Sequence, residues 1–176
     1  MRPAVFLDRD GVLNQAIVRE GRPYPPRSVE DLELLPGVAG ACAHLRAAGY
    51  LLIVVTNQPD LARGAQEPAT VEAIHRALLE QLLLDDVRIC PHDDADRCSC
   101  RKPKPGLLVE AARDWNVDLA RSVMVGDRWR DIEAGRSAGC RTVFIDHGYA
   151  ERRPREADLV VTALADAVPW IIRSAR

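Results

Sequence analysis

The chain has 176 residues, 47% of them hydrophobic, with 24 Lys and Arg against 26 Asp and Glu and a formal charge of -2. That length suits one sizeable core, so a single domain over residues 1–176 is expected, and the near-neutral charge argues against nucleic acid or an anionic membrane as a partner. With no bilayer-spanning apolar run and no leader ahead of the first strand, the expectation is a cytoplasmic, monomeric protein that acts on a small molecule.

The apolar run Val5-Phe6-Leu7 reads as a buried strand that stops at Asp8-Arg9-Asp10-Gly11. Two aspartates there form either a capped turn, with Gly11 at positive φ, or an acidic site that needs a cation. Residues 14–35 are polar and rich in proline, which is loop chemistry. They serve as surface connection, or as a rim where Arg19, Arg22 or Arg27 touches an anionic substrate.

Pro36-Gly37 opens a helix with Val38, Ala41, Cys42 and Leu45 on its inner face, closed by Ala48-Gly49. A continuous apolar strand over residues 51–55 follows and ends in Thr56-Asn57-Gln58, neutral groups that either cap a turn or offer donors to an anion beside Asp8. Arg63 and Gly64 continue that loop. The next helix spans residues 68–83, with His75 on its apolar side and expected to be packed or exposed, without a catalytic part. A short strand at 86–89 delivers Cys90.

Cys90, His92, Cys98 and Cys100 form two pairs of soft ligands across a short polar loop, the donor set of a closed tetrahedral zinc site with a structural role. Cys42 and Cys140 read as core residues. The loop leads into Arg101-Lys102-Pro103 just before a helix at 107–115, so Arg101 or Lys102 is placed to bind phosphate. The strand at 122–126 then hands over to Asp127 and Asp131. A helix starting just after Gly126 would set these two aspartates four apart on one face near its positive end. Strands at 141–145 and 158–161 and a helix at 163–172 complete the chain, with 146–149 and 152–155 read as exposed loop.

Strands alternate with helices throughout, which implies an α/β fold, a mostly parallel sheet with helices on both faces. Asp8-x-Asp10, Thr56, Lys102 and Gly126-Asp127-x-x-x-Asp131, in that order, make the chain resemble the haloacid dehalogenase superfamily of phosphohydrolases, with its three-layer Rossmann-like fold. Thr56-Asn57-Gln58, the four zinc ligands and Arg101-Lys102-Pro103 together resemble the branch that holds heptose 1,7-bisphosphate 7-phosphatases and histidinol-phosphate phosphatases. The motif spacing leaves no room for a separate cap domain.

This resemblance implies a Mg²⁺-dependent phosphomonoesterase. Asp8 would be the nucleophile that forms an aspartyl-phosphate, and Asp10 the general acid and base. Thr56 and Lys102 would stabilise the phosphoryl group. Asp8, the Asp10 backbone carbonyl and Asp127 would hold Mg²⁺, supported by Asp131. Asn57, Arg63, Arg101 and Arg128 would bind substrate. The free-standing chain and its arginines favour heptose 1,7-bisphosphate, whereas Gln58-Pro59-Asp60-Leu61 and the short zinc loop keep histidinol phosphate or another small sugar phosphate open. A reading from another class, a phosphate-accepting regulatory module that keeps the mark on Asp8, would lack a use for Asp10 and for the zinc loop.

Overall fold

Ala-Val-Phe-Leu carries no polar side chain and forms β1 (Ala4–Leu7), buried along its whole length in the computed structural model, which describes residues 1–174. A hairpin of β2 (Ile17–Arg19) and β3 (Arg22–Tyr24) follows, then α1 (Val38–Ala47), β4 (Leu51–Asn57), α2 (Pro68–Gln81) and β5 (Asp86–Cys90). After the Cys/His loop come α3 (Gly106–Trp115), β6 (Val123–Gly126), α4 (Trp129–Ala138), β7 (Arg141–Ile145), β8 (Leu159–Val161) and α5 (Leu164–Ser174).

Six strands form one sheet in the order β5-β4-β1-β6-β7-β8, and every pairing in it is parallel. Strands buried on both faces need helices on both faces. Alternation along β1 divides the core accordingly. Val5 and Leu7 join Leu45 of α1, Ile74 of α2 and Ile171 of α5 on one side, while Ala4 and Phe6 join Leu107 and Leu108 of α3 and Ala134 of α4 on the other. Truncating the fully buried Phe6 to alanine would cost roughly 3–5 kcal/mol.

The chain runs outward from β1 through β4 to β5, then returns to β6 and runs the opposite way through β7 to β8. The reversal lies between β1 and β6, and a crevice opens beyond the C-terminal strand ends at such a point. Asp8 and Asp127 sit just beyond those two ends.

Two expectations need correction. The 14–35 stretch contains a hairpin: Glu20 (φ 50°) and Gly21 (φ 74°) are both left-handed, the two-residue turn that fits the twist of paired strands. Its prolines and short, largely exposed strands hid the pairing. Helix α4 starts at Trp129, two residues later than expected, so Asp127 lies in the turn before it and only Asp131 lies in its first turn. No separate cap domain is present among the described residues, and none of their helices is long and apolar enough to cross a membrane.

Candidate active site

The carboxylates of Asp8, Asp127 and Asp131 converge, with one oxygen of each lying within 4.8 Å of the others. Asp8 continues β1, its amide still donating to Val125 O at 3.0 Å. Asp131 accepts from the Arg128 amide at 3.0 Å, so its carboxylate caps α4 and meets the positive end of the helix. Gly126 makes room, because a side chain there would overlap Asp131. Gly11 (φ 81°) does the same for Asp127, and its conformation is one that glycine adopts at little cost.

Lys102 reaches into this cluster from the loop between β5 and α3. Its Nζ lies 2.9 Å from Asp8 Oδ1 and 2.6 Å from Asp131 Oδ1 and donates to Val55 O at 2.8 Å, with the side chain 2% exposed. Three carboxylates against one ammonium leave two negative charges, and both buried oxygens of Asp127 lack a hydrogen-bond partner. A divalent cation with oxygen ligands fits both facts. The titration behaviour agrees. Burial, and then the repulsion of Asp131 against the pull of Lys102, pushes Asp8 up to about 6. Burial and the charges of Asp8 and Asp131 also raise Asp127 well above the carboxylate range, despite the favourable Tyr149 hydroxyl nearby. Burial opposes the charge of Lys102, but Asp131 and Asp8 lift its pKa above the ordinary ammonium value.

Asp10 has a different environment. Its oxygens accept from Arg9 Nε at 3.1 Å and Nη2 at 2.9 Å, from Asn14 Nδ2 at 2.9 Å and from Gln58 Nε2 at 3.2 Å. Burial works against ionisation here, yet the Arg9 charge and these hydrogen bonds hold the carboxyl below its usual range. Its side chain is therefore engaged by donors rather than joined to the three-carboxylate cluster. Gln58 also donates to Thr56 Oγ1 at 2.9 Å, which leaves the threonine proton free to be donated elsewhere.

The zinc-type loop fixes Lys102. The Cys90, Cys98 and Cys100 sulfurs lie 3.1 to 3.6 Å apart, and His92 Nδ1 is 3.3 Å from Cys100 Sγ. Zinc bound tetrahedrally at Zn–S distances near 2.3 Å has edges of about 3.8 Å, so this slightly contracted set is compatible with zinc. Cys90 pairs in register with Asn57, whose side chain accepts from Lys102 N and donates to Lys102 O, both at 3.1 Å. The amide that the sequence suggests for substrate thus pins the lysine backbone.

Beyond the acidic cluster lies a cleft of about 510 Å³, lined by Arg22, Arg63, Arg101, Arg128, Arg130 and Arg152. Of the six arginines singled out from sequence, Arg63 pairs with Asp93, Arg101 with Asp94 and Arg128 with Glu151. Arg22 arrives from the β2–β3 hairpin, whereas Arg27 pairs with Asp31 and Arg19 lies over Tyr24. Sequence reading missed Arg130 and Arg152, which flank Trp129 at 4.8 and 4.3 Å. It also took 146–149 for plain loop. His147 Nε2 lies 2.7 Å from Gly11 O, and Tyr149 stands beside Asp127.

Comparison with known proteins adds to this geometry. A family model for HAD-hydrolase-like proteins matches residues 99–167. The chain is 40% identical, over 97% of its length and 95% of the relative's, to a D-glycero-D-manno-heptose-1,7-bisphosphate 7-phosphatase of Thermosynechococcus vestitus. The chain belongs to the haloacid dehalogenase family of phosphohydrolases. Another relative, a D-glycero-beta-D-manno-heptose-1,7-bisphosphate 7-phosphatase of Rhodopseudomonas palustris, is 43% identical over 78% of this chain and 80% of its own. Among solved haloacid dehalogenase structures, the D,D-heptose 1,7-bisphosphate phosphatase of B. bronchiseptica, complexed with magnesium and phosphate, superposes with a TM-score of 0.79 at 34% identity over 98% of this chain and 99% of that one. Phosphatases of this family use Mg²⁺, the hard cation that the oxygen cluster here suits.

Proposed function

We propose that this haloacid dehalogenase phosphatase removes the 7-phosphate of D-glycero-D-manno-heptose 1,7-bisphosphate, with Asp8 as nucleophile. The observation that carries the reading is the meeting of Asp8, Asp127, Asp131 and Lys102 at the floor of an arginine-lined cleft. The relatives named for that substrate support it.

Asp8, Asp127 and Asp131, with the Asp10 backbone carbonyl, would hold Mg²⁺, which when bound neutralises phosphoryl oxygens and keeps Asp8 ionised. Asp8 then attacks phosphorus in line and carries the phosphoryl group as an acyl phosphate. Lys102 stabilises the charge that develops on the transferring group, and Thr56 donates its free proton to a phosphoryl oxygen. Asp10 is held ionised in the free protein, ready to take a proton from the attacking water. The charge of an incoming phosphate dianion raises its proton affinity, so on substrate binding Asp10 takes up a proton from solvent, passes it to the departing sugar oxygen, and is left ionised again as the base for the attacking water.

Arg63, Arg101 and Arg128 recognise the remote phosphate by exchanging their acidic partners for it, a bidentate contact that guanidinium groups favour. Cys90, His92, Cys98 and Cys100 would hold zinc, which would fix the shape of the loop that leads to Lys102. The test is turnover in Mg²⁺ on heptose 1,7-bisphosphate and on histidinol phosphate. The reading expects kcat/KM to be higher on the bisphosphate by at least about tenfold, a little over 1 kcal/mol of discrimination. Preference for histidinol phosphate would overturn the substrate while leaving the phosphatase chemistry intact.

A further inference from the structure

Arg9 lies between the two catalytic aspartates in sequence and is 0% exposed, the largest fully buried side chain among the described residues. A guanidinium is always a donor, and buried donors must be matched. Nε and Nη2 are spent on the two oxygens of Asp10, at 3.1 and 2.9 Å. Nη1 lies 2.9 Å from Nε2 of His75, sixty-six residues away on α2. Because Arg9 can only donate, Nε2 must accept, so the imidazole is neutral with its proton on Nδ1. The sequence assigns His75 to the apolar face of α2, and it does lie there with Val71, Ile74 and Leu78. An aliphatic side chain would fill that place equally well by size and offer nothing to Arg9.

We infer that His75 is a positioning residue for catalysis: by accepting from Arg9 it fixes the guanidinium fork, and the fork fixes the plane of the Asp10 carboxylate. The inference rests on the proposed proton exchange by Asp10. Asn14 and Gln58 grip the same carboxylate from other directions, one contact each, whereas Arg9 alone binds both oxygens. Without an acceptor at position 75, Arg9 turns to find another, and Asp10 turns with it. Proton delivery to the leaving group is then the step that suffers. A substrate whose leaving group needs no proton is spared in its first turnover.

The experiment compares single-turnover cleavage of an alkyl phosphate, heptose 1,7-bisphosphate, with single-turnover release of p-nitrophenolate from p-nitrophenyl phosphate, both in Mg²⁺. Three variants are tested: His75→Leu, His75→Gln and Asp10→Asn. His75→Leu is expected to slow alkyl ester cleavage by at least about tenfold, with substrate affinity and p-nitrophenolate release within about twofold of the parent. His75→Gln, which keeps a neutral acceptor, restores most of the alkyl rate. Equal losses on both substrates, no loss on either, or no rescue by glutamine overturns the inference. Asp10→Asn must show the same split between substrates. If it does not, the acid role of Asp10 fails, and the inference with it; if it does and His75→Leu does not, only the inference fails. Should His75→Leu not fold, Arg9→Lys, which keeps the charge and loses the fork, replaces it under the same criteria.

Discussion

The Lys102 ammonium lies 2.9 Å from Asp8 Oδ1, two groups ninety-four residues apart in sequence, and together they are nearly sealed from solvent. Replacing Lys102 with methionine leaves Asp8 and Asp131 without their shared cation. Breaking a buried pair in this way costs roughly 3–5 kcal/mol, and losing a preorganised charge at the transferring group costs at least about a hundredfold in turnover. Urea unfolding without added Mg²⁺, alongside phosphate release with it, checks both. Unchanged stability would contradict the pairing.

His75 supplies a stability term with a definite sign. Burial, then the Arg9 charge, depress its folded pKa to about 4, opposed by Asp10, from an ordinary value of 6.5. Between those values the unfolded chain binds the proton more readily, so stability is complete above about pH 6.5 and is lost as pH falls toward 4. The loss approaches about 3 kcal/mol. Denaturation midpoints of the parent and of His75→Gln, measured between pH 4 and 7, should converge toward low pH. Parallel curves would refute this term.

Gly11→Ala should inactivate the protein. The position is left-handed, and a methyl group there overlaps the Asp127 carboxylate. Backbone strain costs on the order of 1–3 kcal/mol, and moving Asp127 by even about 1 Å costs roughly a hundredfold in rate. Calorimetric Mg²⁺ titration of the folded variant should show weakened binding. Parental affinity and rate would mean that the crowding is relieved without cost.

Removing zinc should act on Lys102 at a distance. Freshly purified protein is expected to hold about one zinc per chain by metal analysis. Cys98→Ser or chelation should lower the melting midpoint by about 10 °C, the effect of losing roughly 3 kcal/mol in a chain of this size. Turnover should fall in parallel, since Asn57 and the Cys90 pairing carry the loop's position to Lys102. Full activity in zinc-free protein would contradict the linkage.

Sequence made the sheet and its acidic floor legible because each signal is local. Val5-Phe6-Leu7 and Val123-Met124-Val125 are continuous apolar runs, and each is followed at once by its aspartates. Soft ligands spaced as Cys90, His92, Cys98 and Cys100 are equally short-range. What sequence could not convey was pairing across distance. Asn57 looked like a substrate donor because its partner, the Lys102 backbone, is forty-five residues away. His75 read as packed or exposed, without a catalytic part, for the same reason, and the acidic partners of Arg101 and Arg128 lie on the Cys/His loop and on the segment after β7. The hairpin was missed because Arg22-Pro23-Tyr24 is short, carries a proline and buries no residue fully, which leaves the left-handed Glu20-Gly21 pair to announce it.

The central claim is that Asp8 carries the phosphoryl group, and trapping it is the direct measurement. Protein quenched in acid during turnover and reduced with borohydride should show homoserine in place of aspartate at position 8, mapped by mass spectrometry, and none in Asp8→Asn. Sustained phosphate release with Asp8 unmodified under the same quench would contradict covalent catalysis.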